Sequence, residues 1–390
     1  MERRIKLGII FFLFSGSFIF SQSLMNRLRV PITINGKIGI GYDNNILRFS
    51  EEDINCQSPD ICPDLNKQGI TSTLDSPIIK PVLKLKYSPV IIDGKTTNIV
   101  SSVSYSHFTH AMQKSYFITN LSLEIKLRSY SWVKLGHRYL PEYYLRDYID
   151  RDMEPGKWKE YSYGDSFVDT TGISFRSCSF KSQKYFISYS FPLQWIKRTG
   201  VKLYSDFTQE YYRDPENNGD PFTEFDIAKY MVQIEINHRM KKKHRIKLAV
   251  STGFADNITY DASSLQKEPF DRSYVFDKIR GEIVITHRRL RTIKNTGLSI
   301  QLEQRLYDNI YQQQQIIDYD WKYYLDGRTK VWCSWNIIGD IEIKTWYQYR
   351  WRDAYTPNNS YVEWVEDVKS FSKHEFWLEF SYKFITDILY

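Results

Sequence analysis

Between Phe376 and Tyr390 the chain reads FWLEFSYKFITDILY. Every second position makes one row: Phe376, Leu378, Phe380, Tyr382, Phe384, Thr386, Ile388 and Tyr390. Glu379, Ser381, Lys383 and Asp387 stand between them. A period of two puts the two sets on opposite faces of one β-strand, whereas a helix would scatter both sets around its axis. The strand is long and heavily aromatic, so the fold around it must accept an apolar wall on one side and charge on the other.

Composition decides what such a wall faces. Aromatic residues make up 16% of the 390, with 30 Tyr, 23 Phe and 10 Trp, yet a quarter of the chain is charged and the mean hydropathy is −0.48. A helical membrane protein needs apolar runs of about 20 residues, and after the N-terminus none exists. A transmembrane barrel hides its apolar surface in alternation, so low mean hydropathy and many aromatics belong together. A soluble all-β protein is the alternative.

The final strand resembles the last strand of bacterial outer-membrane β-barrels. The resemblance implies that Phe384, Ile388 and Tyr390 form a signal read by the barrel-assembly machinery. It also implies an all-β fold, an antiparallel up-and-down transmembrane barrel with long extracellular loops and short periplasmic turns, integral in the outer membrane among its lipids and lipopolysaccharide. The alternation covers nearly the whole mature chain, and no subfamily motif accompanies it.

Residues 1–21 are expected to be a signal peptide. A basic start at Arg3, Arg4 and Lys6 leads into the apolar run Leu7–Phe20, about 14 residues and short for a span, with cleavage after Ser21. Residues 22–390 are then one barrel domain. The few residues from Gln22 to Arg29 leave no room for a plug domain, and the formal charge falls from +7 to about +5, too small a balance to argue for nucleic acid. In an oxidising exported context Cys56 and Cys62 are the disulfide candidate, two free loop thiols being the alternative. Cys178 and Cys333 fall within strand patterns.

Read in order, the alternating segments are Val30–Tyr42, Ile79–Tyr87, Asn98–His107, Phe117–Arg128, one ending near Leu140, Gly172–Leu193, Val201–Tyr211, Tyr230–His238, Ile246–Phe254, Ile279–His287, Leu298–Leu306, Tyr319–Ile337, Ile341–Trp351 and the final strand. That is about 14, with 12 or 16 as alternatives, and an even number is what bacterial single-chain barrels use. Polar stretches at Asp43–Pro77, Leu140–Asp152, Asp214–Phe225 and Asp353–Ser370 read as surface loops. Asp326-Gly327 is a hairpin dipeptide, but the outward parity runs unbroken from Tyr323 and Leu325 to Thr329 and Val331, so the segment reads as one long strand. Gly39 and Gly41 sit in the first strand as glycines that leave room for a bulky inward neighbour. The final strand should close the ring against Val30–Tyr42.

If the apolar parity faces lipid, the other parity lines the interior. Its basic candidates include Lys84, Lys86, Lys126, Arg128, Arg138, Arg245, Lys247, Arg280, Arg305, Arg328, Lys330, Lys344, Arg350 and Arg352. The acidic candidates include Glu124, Glu235, Glu282, Glu303, Asp320, Asp326 and Glu342. Basic side chains outnumber acidic ones by roughly two to one, a bias toward anions in a water-filled lumen, unless most charges pair across strands. The function expected is therefore a channel or porin for small, anionic solutes, acting as a monomer without cofactor or metal. A non-conducting barrel that binds a surface partner, polysaccharide or lipid, or assists export, is the alternative, favoured if the lumen is closed by side chains or an inward-folded loop. A barrel hydrolase needs a nucleophile and base in reach of each other at the rim; Ser104, Ser106, His107, Thr109 and His110 are the Ser/His cluster, and alternation separates Ser106 from His107. The acidic loop residues Asp147, Asp150, Asp152 and Glu154, and Asp214, Glu216 and Asp220, read as solvated, with calcium ligation as the alternative.

Overall fold

A backbone crossing hydrocarbon must satisfy every N–H and C=O internally, and strands do so only by closing on themselves. In the computed structural model of this chain, fourteen antiparallel strands close into one ring. They are β1 (Arg29–Asp43), β2 (Ser76–Tyr87), β3 (Thr97–Phe108), β4 (Tyr116–Arg128), β5 (Ser131–Ile149), β6 (Phe175–Pro192), β7 (Thr199–Arg213), β8 (Ile227–Met240), β9 (His244–Asn257), β10 (Tyr274–Thr286), β11 (Ile293–Asp308), β12 (Trp321–Asn336), β13 (Ile341–Tyr355) and β14 (Phe371–Leu389). The structure describes residues 29–55, 69, 71, 73–89, 91–92, 94–149, 175–215, 226–240, 243–258, 273–287, 292–308, 321–337, 341–355 and 370–389. The expected signal peptide, the Cys56–Cys62 pair, Asp320 and Tyr390 lie outside these residues.

Each strand pairs with its neighbours in sequence, and β14 closes the ring on β1 from Arg29↔Leu389 to Asp43↔Glu375. The ring therefore has no free edge. The alternation divides the two faces as the sequence predicts. Ile38 and Ile40, Leu83 and Leu85, Val232, Ile234 and Ile236, and Ile300 and Leu302 are all exposed on the outside. Aromatic rings band together on that face, as in the Phe207–Tyr230–Phe254 run across β7, β8 and β9 with centroids 4.7 and 5.0 Å apart. Phe384 is outward and exposed, and Ile388 pairs through its backbone with Val30.

Inward-facing glycines receive aromatic side chains from directly across the ladder. Gly41 lies opposite Trp377, Gly136 opposite Phe186, Gly253 opposite Phe276 and Gly297 opposite Trp332. A Cβ on Gly41 would stand 2.4 Å from the Trp377 ring, and on Gly297 2.0 Å from Trp332. The dipeptide Asp326-Gly327 is mid-strand for the same reason, since Gly327 is covered on the outer face by Trp351, its partner on β13. Gly41→Val should therefore lower barrel stability by about 1–3 kcal/mol through overpacking. Gly36→Val, where a Cβ would meet nothing within 4 Å, should leave the denaturant midpoint unchanged or raise it. Equal midpoints for the two variants would contradict the packing assigned to Trp377.

Three expectations need correction. First, Leu140–Ile149 is not a loop, because β5 continues to Ile149 and stays paired with β6 from Tyr143↔Phe180 to Ile149↔Phe175, while Asp150–Asp152 lie outside the described residues. Register shifts between Leu140 and Tyr143 and between Tyr144 and Arg146 break the period of two, which erases the alternation while the ladder continues. Such bulges re-aim side chains at barrel rims, and here they bring Tyr143 opposite Phe180 and Arg146 opposite Cys178. Second, β8, β10, β11, β13 and β14 extend beyond the sequence reading, β11 and β14 starting at Ile293 and Phe371 and β13 running to Tyr355, while Tyr319 and Asp320, read as the start of β12, lie outside the described residues. Third, the stretch that follows β1 is not a surface loop.

Candidate functional site

The β1–β2 connection begins Asn44-Asn45-Ile46-Leu47-Arg48-Phe49 and turns into the barrel mouth before the short helix α1 (Glu51–Asn55). Ile46, Leu47 and Phe49 are buried with Ile78, Phe108, Ala111 and Trp377, and Leu74, Tyr116 and Trp346 pack against them. This small core inside the ring spans β13 and β14 on one side and β2, β3 and β4 on the other. Asn45, fully buried, staples it: its Nδ2 donates to the carbonyls of Phe49 at 2.8 Å and Ser372 at 3.0 Å, and its Oδ1 accepts the Phe49 amide at 2.9 Å. The Ile46 amide donates to Leu74 O at 2.8 Å, and the His374 amide to Asn44 Oδ1 at 2.7 Å. Burying Phe49 contributes about 1.5–3 kcal/mol to this seat.

A second connection braces the first. The 3-10 turn Met112–Lys114 sends Lys114 inward, where its buried ammonium donates to the carbonyls of Tyr144 at 2.9 Å and Leu145 at 2.7 Å. It also lies over the Tyr143 ring, 4.7 Å from the centroid. Burial, with Arg48 and Lys373 close by, pushes the Lys114 ammonium well below the ordinary lysine range. The β5 bulges thus expose the carbonyls that hold Lys114, and Arg146 comes to lie 5.8 Å over the Phe49 ring. On the closing seam Lys373 of β14 pairs with Asp43 of β1 and lies 3.4 Å from Glu375.

Arg48 stands at the tip of the inward loop. It is exposed and interacts electrostatically with Arg350 and Arg352 of β13, Asp326 of β12 and Tyr143 of β5. β5 and β13 lie nearly opposite each other in the ring, so the inward stretch places Arg48 within electrostatic reach of both sides of the mouth. Facing it, Arg352 chelates Asp326 at 3.0 and 3.1 Å, and Arg305 lies 3.4 Å from Asp326 and 2.8 Å from Glu303.

The charges picked out by alternation separate into two classes. The carboxylates are mostly engaged. Glu124 meets Lys134 at 3.0 Å, Glu282 meets Lys247 at 3.0 Å, Arg280 at 3.2 Å and Arg245 at 3.7 Å, Glu303 also meets Lys278 at 3.3 Å, Glu342 meets Lys294 at 2.6 Å, and Glu235 lies across from Lys202. Among the described residues, Lys84, Lys86, Lys126, Arg128, Arg138, Arg328, Lys330, Lys344 and Arg350 have no carboxylate within ion-pair distance. Lys330 instead sits over the Trp346 ring, and the Arg328 Nε donates to Gln348. Cross-strand pairing therefore consumes the acidic minority and leaves a basic wall.

Sequence reasoning missed Arg48, Lys114, Arg146 and the tryptophan row. Trp332, Trp346 and Trp377 lie side by side on β12, β13 and β14, Trp346 and Trp377 stacked at 5.3 Å. The available signals were the apolar Ile46-Leu47-x-Phe49 inside a polar stretch and tryptophans occupying inward parity. At the rim, Ser106 is buried and His107 faces out. The His107 Nδ1 lies 3.4 Å from Ser115 Oγ, which already accepts the Phe108 amide at 3.0 Å. The same hydroxyl–imidazole contact recurs at Thr199–His238, 2.7 Å, and Thr296–His287, 2.9 Å, so it reads as rim packing, while the His137 ring lies tilted against Tyr185 with centroids 4.7 Å apart. Asp147 accepts from Tyr144 and Ser177, each at 2.9 Å, and Asp214 pairs with Arg176 at 3.3 Å; the other acidic loop positions lie outside the described residues.

No family model matches the chain, and no curated protein matches it. Among solved structures it is similar to the outer membrane channel DcaP of Acinetobacter baumannii, at 10% identity and a TM-score of 0.44 over 93% of this chain and 100% of that one. It is also similar to an anion-selective porin from Comamonas acidovorans, at 8% identity and 0.39 over 91% and 99%, and to a Pseudomonas aeruginosa FadL homologue, at 10% and 0.40 over 91% and 90%. At these values the likenesses say nothing about solute or mechanism. The closed ring of fourteen antiparallel strands, with its apolar outer band and charged inner wall, has the architecture of a transmembrane β-barrel.

Proposed function

We propose that the chain is an outer-membrane channel for small solutes that favours anions. The observation that carries this reading is the unequal pairing of the inner wall: most carboxylates find basic partners, and among the described residues Arg328, Lys330, Lys344 and Arg350 have no carboxylate within ion-pair distance. Fixed charges of one sign in a water-filled constriction raise the local concentration of the opposite ion. Arg48 adds a further cation in the mouth, close to Arg350 and Arg352. The partners of such a channel are the solute inside and membrane lipid outside.

Proteoliposome swelling tests it. Vesicles carrying the refolded chain should swell faster in a small organic anion such as glucuronate than in a cationic amino acid of similar size. Equal rates would remove the anion preference. No swelling in either would favour the second reading, a non-conducting barrel that binds a surface partner. The observation behind that alternative is the inward loop and its apolar core.

A further inference from the structure

We propose that the lower half of the lumen holds a binding site for a small hydroxylated solute bearing one anionic group, an acidic or phosphorylated sugar. The proposal deepens the channel reading and rests on it for the solute's access. A cavity of about 410 Å³ lies against β9 to β13, within the size range of small-molecule sites, about 300–1,000 Å³.

Charge is distributed unevenly within it. On one flank Arg245 and Arg280 share the single carboxylate of Glu282, so the cations there are held in ion pairs. On the other flank Arg328, Lys330 and Lys344 line the cavity with no carboxylate in ion-pair distance among the described residues. Lys330 is held over Trp346, and Lys344 lies 5.5 Å from the Trp332 centroid. Aromatic faces position the two ammonium groups without neutralising them. Three cations lining one wall of the cavity suit a phosphate or carboxylate.

The rest of the lining points to more than a bare ion. Trp332 also lines the cavity, its ring packed so closely over Gly297 that a Cβ there would stand 2.0 Å from it. The indole gives a sugar ring an apolar surface beside the Lys344 ammonium, and Ser299, Gln301 and Asn295 supply neutral donors and acceptors for hydroxyl groups. Inorganic phosphate would use the cations alone.

Calorimetric titration of the folded full chain in detergent tests the site without requiring any flux. Glucose 6-phosphate, glucuronate, glucose and inorganic phosphate are the probes. A channel site must also release its solute, so at least one acidic sugar should bind with a Kd on the order of 1 mM, at least ~10-fold tighter than glucose or inorganic phosphate. The tighter of the two acidic sugars identifies the anionic group as phosphate or carboxylate. Lys330→Gln with Lys344→Gln should weaken binding ~10-fold or more, Lys330→Arg should retain it, and Lys84→Gln, on β2 away from the cavity, should not change it. Glucose or inorganic phosphate binding as tightly as both acidic sugars would overturn the proposal, as would equal losses from the Lys84 and the paired lysine variants. Swelling without binding removes the site and leaves the channel; binding without swelling removes the channel and leaves the site.

Discussion

Arg48→Glu, Arg328→Glu and Arg350→Glu combined should turn an anion-favouring barrel into a cation-favouring one. A unit charge about 10 Å from a permeating ion in water acts with about 0.4 kcal/mol, and roughly 0.1 M salt screens this to about 0.15 kcal/mol. Reversing three charges changes the fixed charge by six units, about 0.9 kcal/mol for an anion and as much in the opposite sense for a cation. The anion-to-cation permeability ratio should then fall by about 20-fold. None of the three arginines has a carboxylate in ion-pair distance among the described residues, so the exchange breaks no ion pair that holds the barrel. A permeability ratio within twofold of the starting chain would mean that ions do not pass these side chains.

Phe49→Ala should release the inward loop and raise single-channel conductance severalfold while the ring stays closed. Phe49 is 1% exposed and central to the small core in the mouth, and removing a buried phenyl ring costs about 3–5 kcal/mol. Fourteen strands' worth of ladder hydrogen bonds do not depend on that ring, so the loss falls on the loop. Trypsin cleavage after Arg48 should rise in parallel, since proteolysis follows the population of the opened segment. Asn45→Ala should act in the same direction, because three hydrogen bonds converge on its amide. Unchanged conductance with increased cleavage would show that the loop does not set the aperture.

The ring itself was legible because burial in lipid imposes a strict period of two. That constraint gave the strand number, the closure of β14 on β1, and the continuity of β12 through Asp326-Gly327, where parity outweighed a hairpin dipeptide. It also gave the inward glycines their meaning, since Gly41 does receive Trp377. The period says nothing where it is interrupted. The two bulges in β5 removed the alternation over Leu140–Ile149 and made a paired strand look like a loop.

The site was legible as a census and not as an arrangement. The excess of basic inward positions is a property of parity, but which of them stay unpaired depends on cross-strand register. Glu282 meets Lys247 and Arg280, whereas Lys330 faces Gln348 across the ladder. Arg48 was invisible for a different reason. Ile46, Leu47 and Phe49 follow no strand or helix period, because what they pack against comes from five separate strands and two connections.

The reversal potential of the refolded chain in a planar bilayer under a tenfold potassium chloride gradient tests the central claim most directly. The basic wall and Arg48 predict a potential of the sign set by chloride, growing as the salt on both sides is lowered and screening weakens. A potential of zero or of the sign set by potassium, or no current at all, would contradict it.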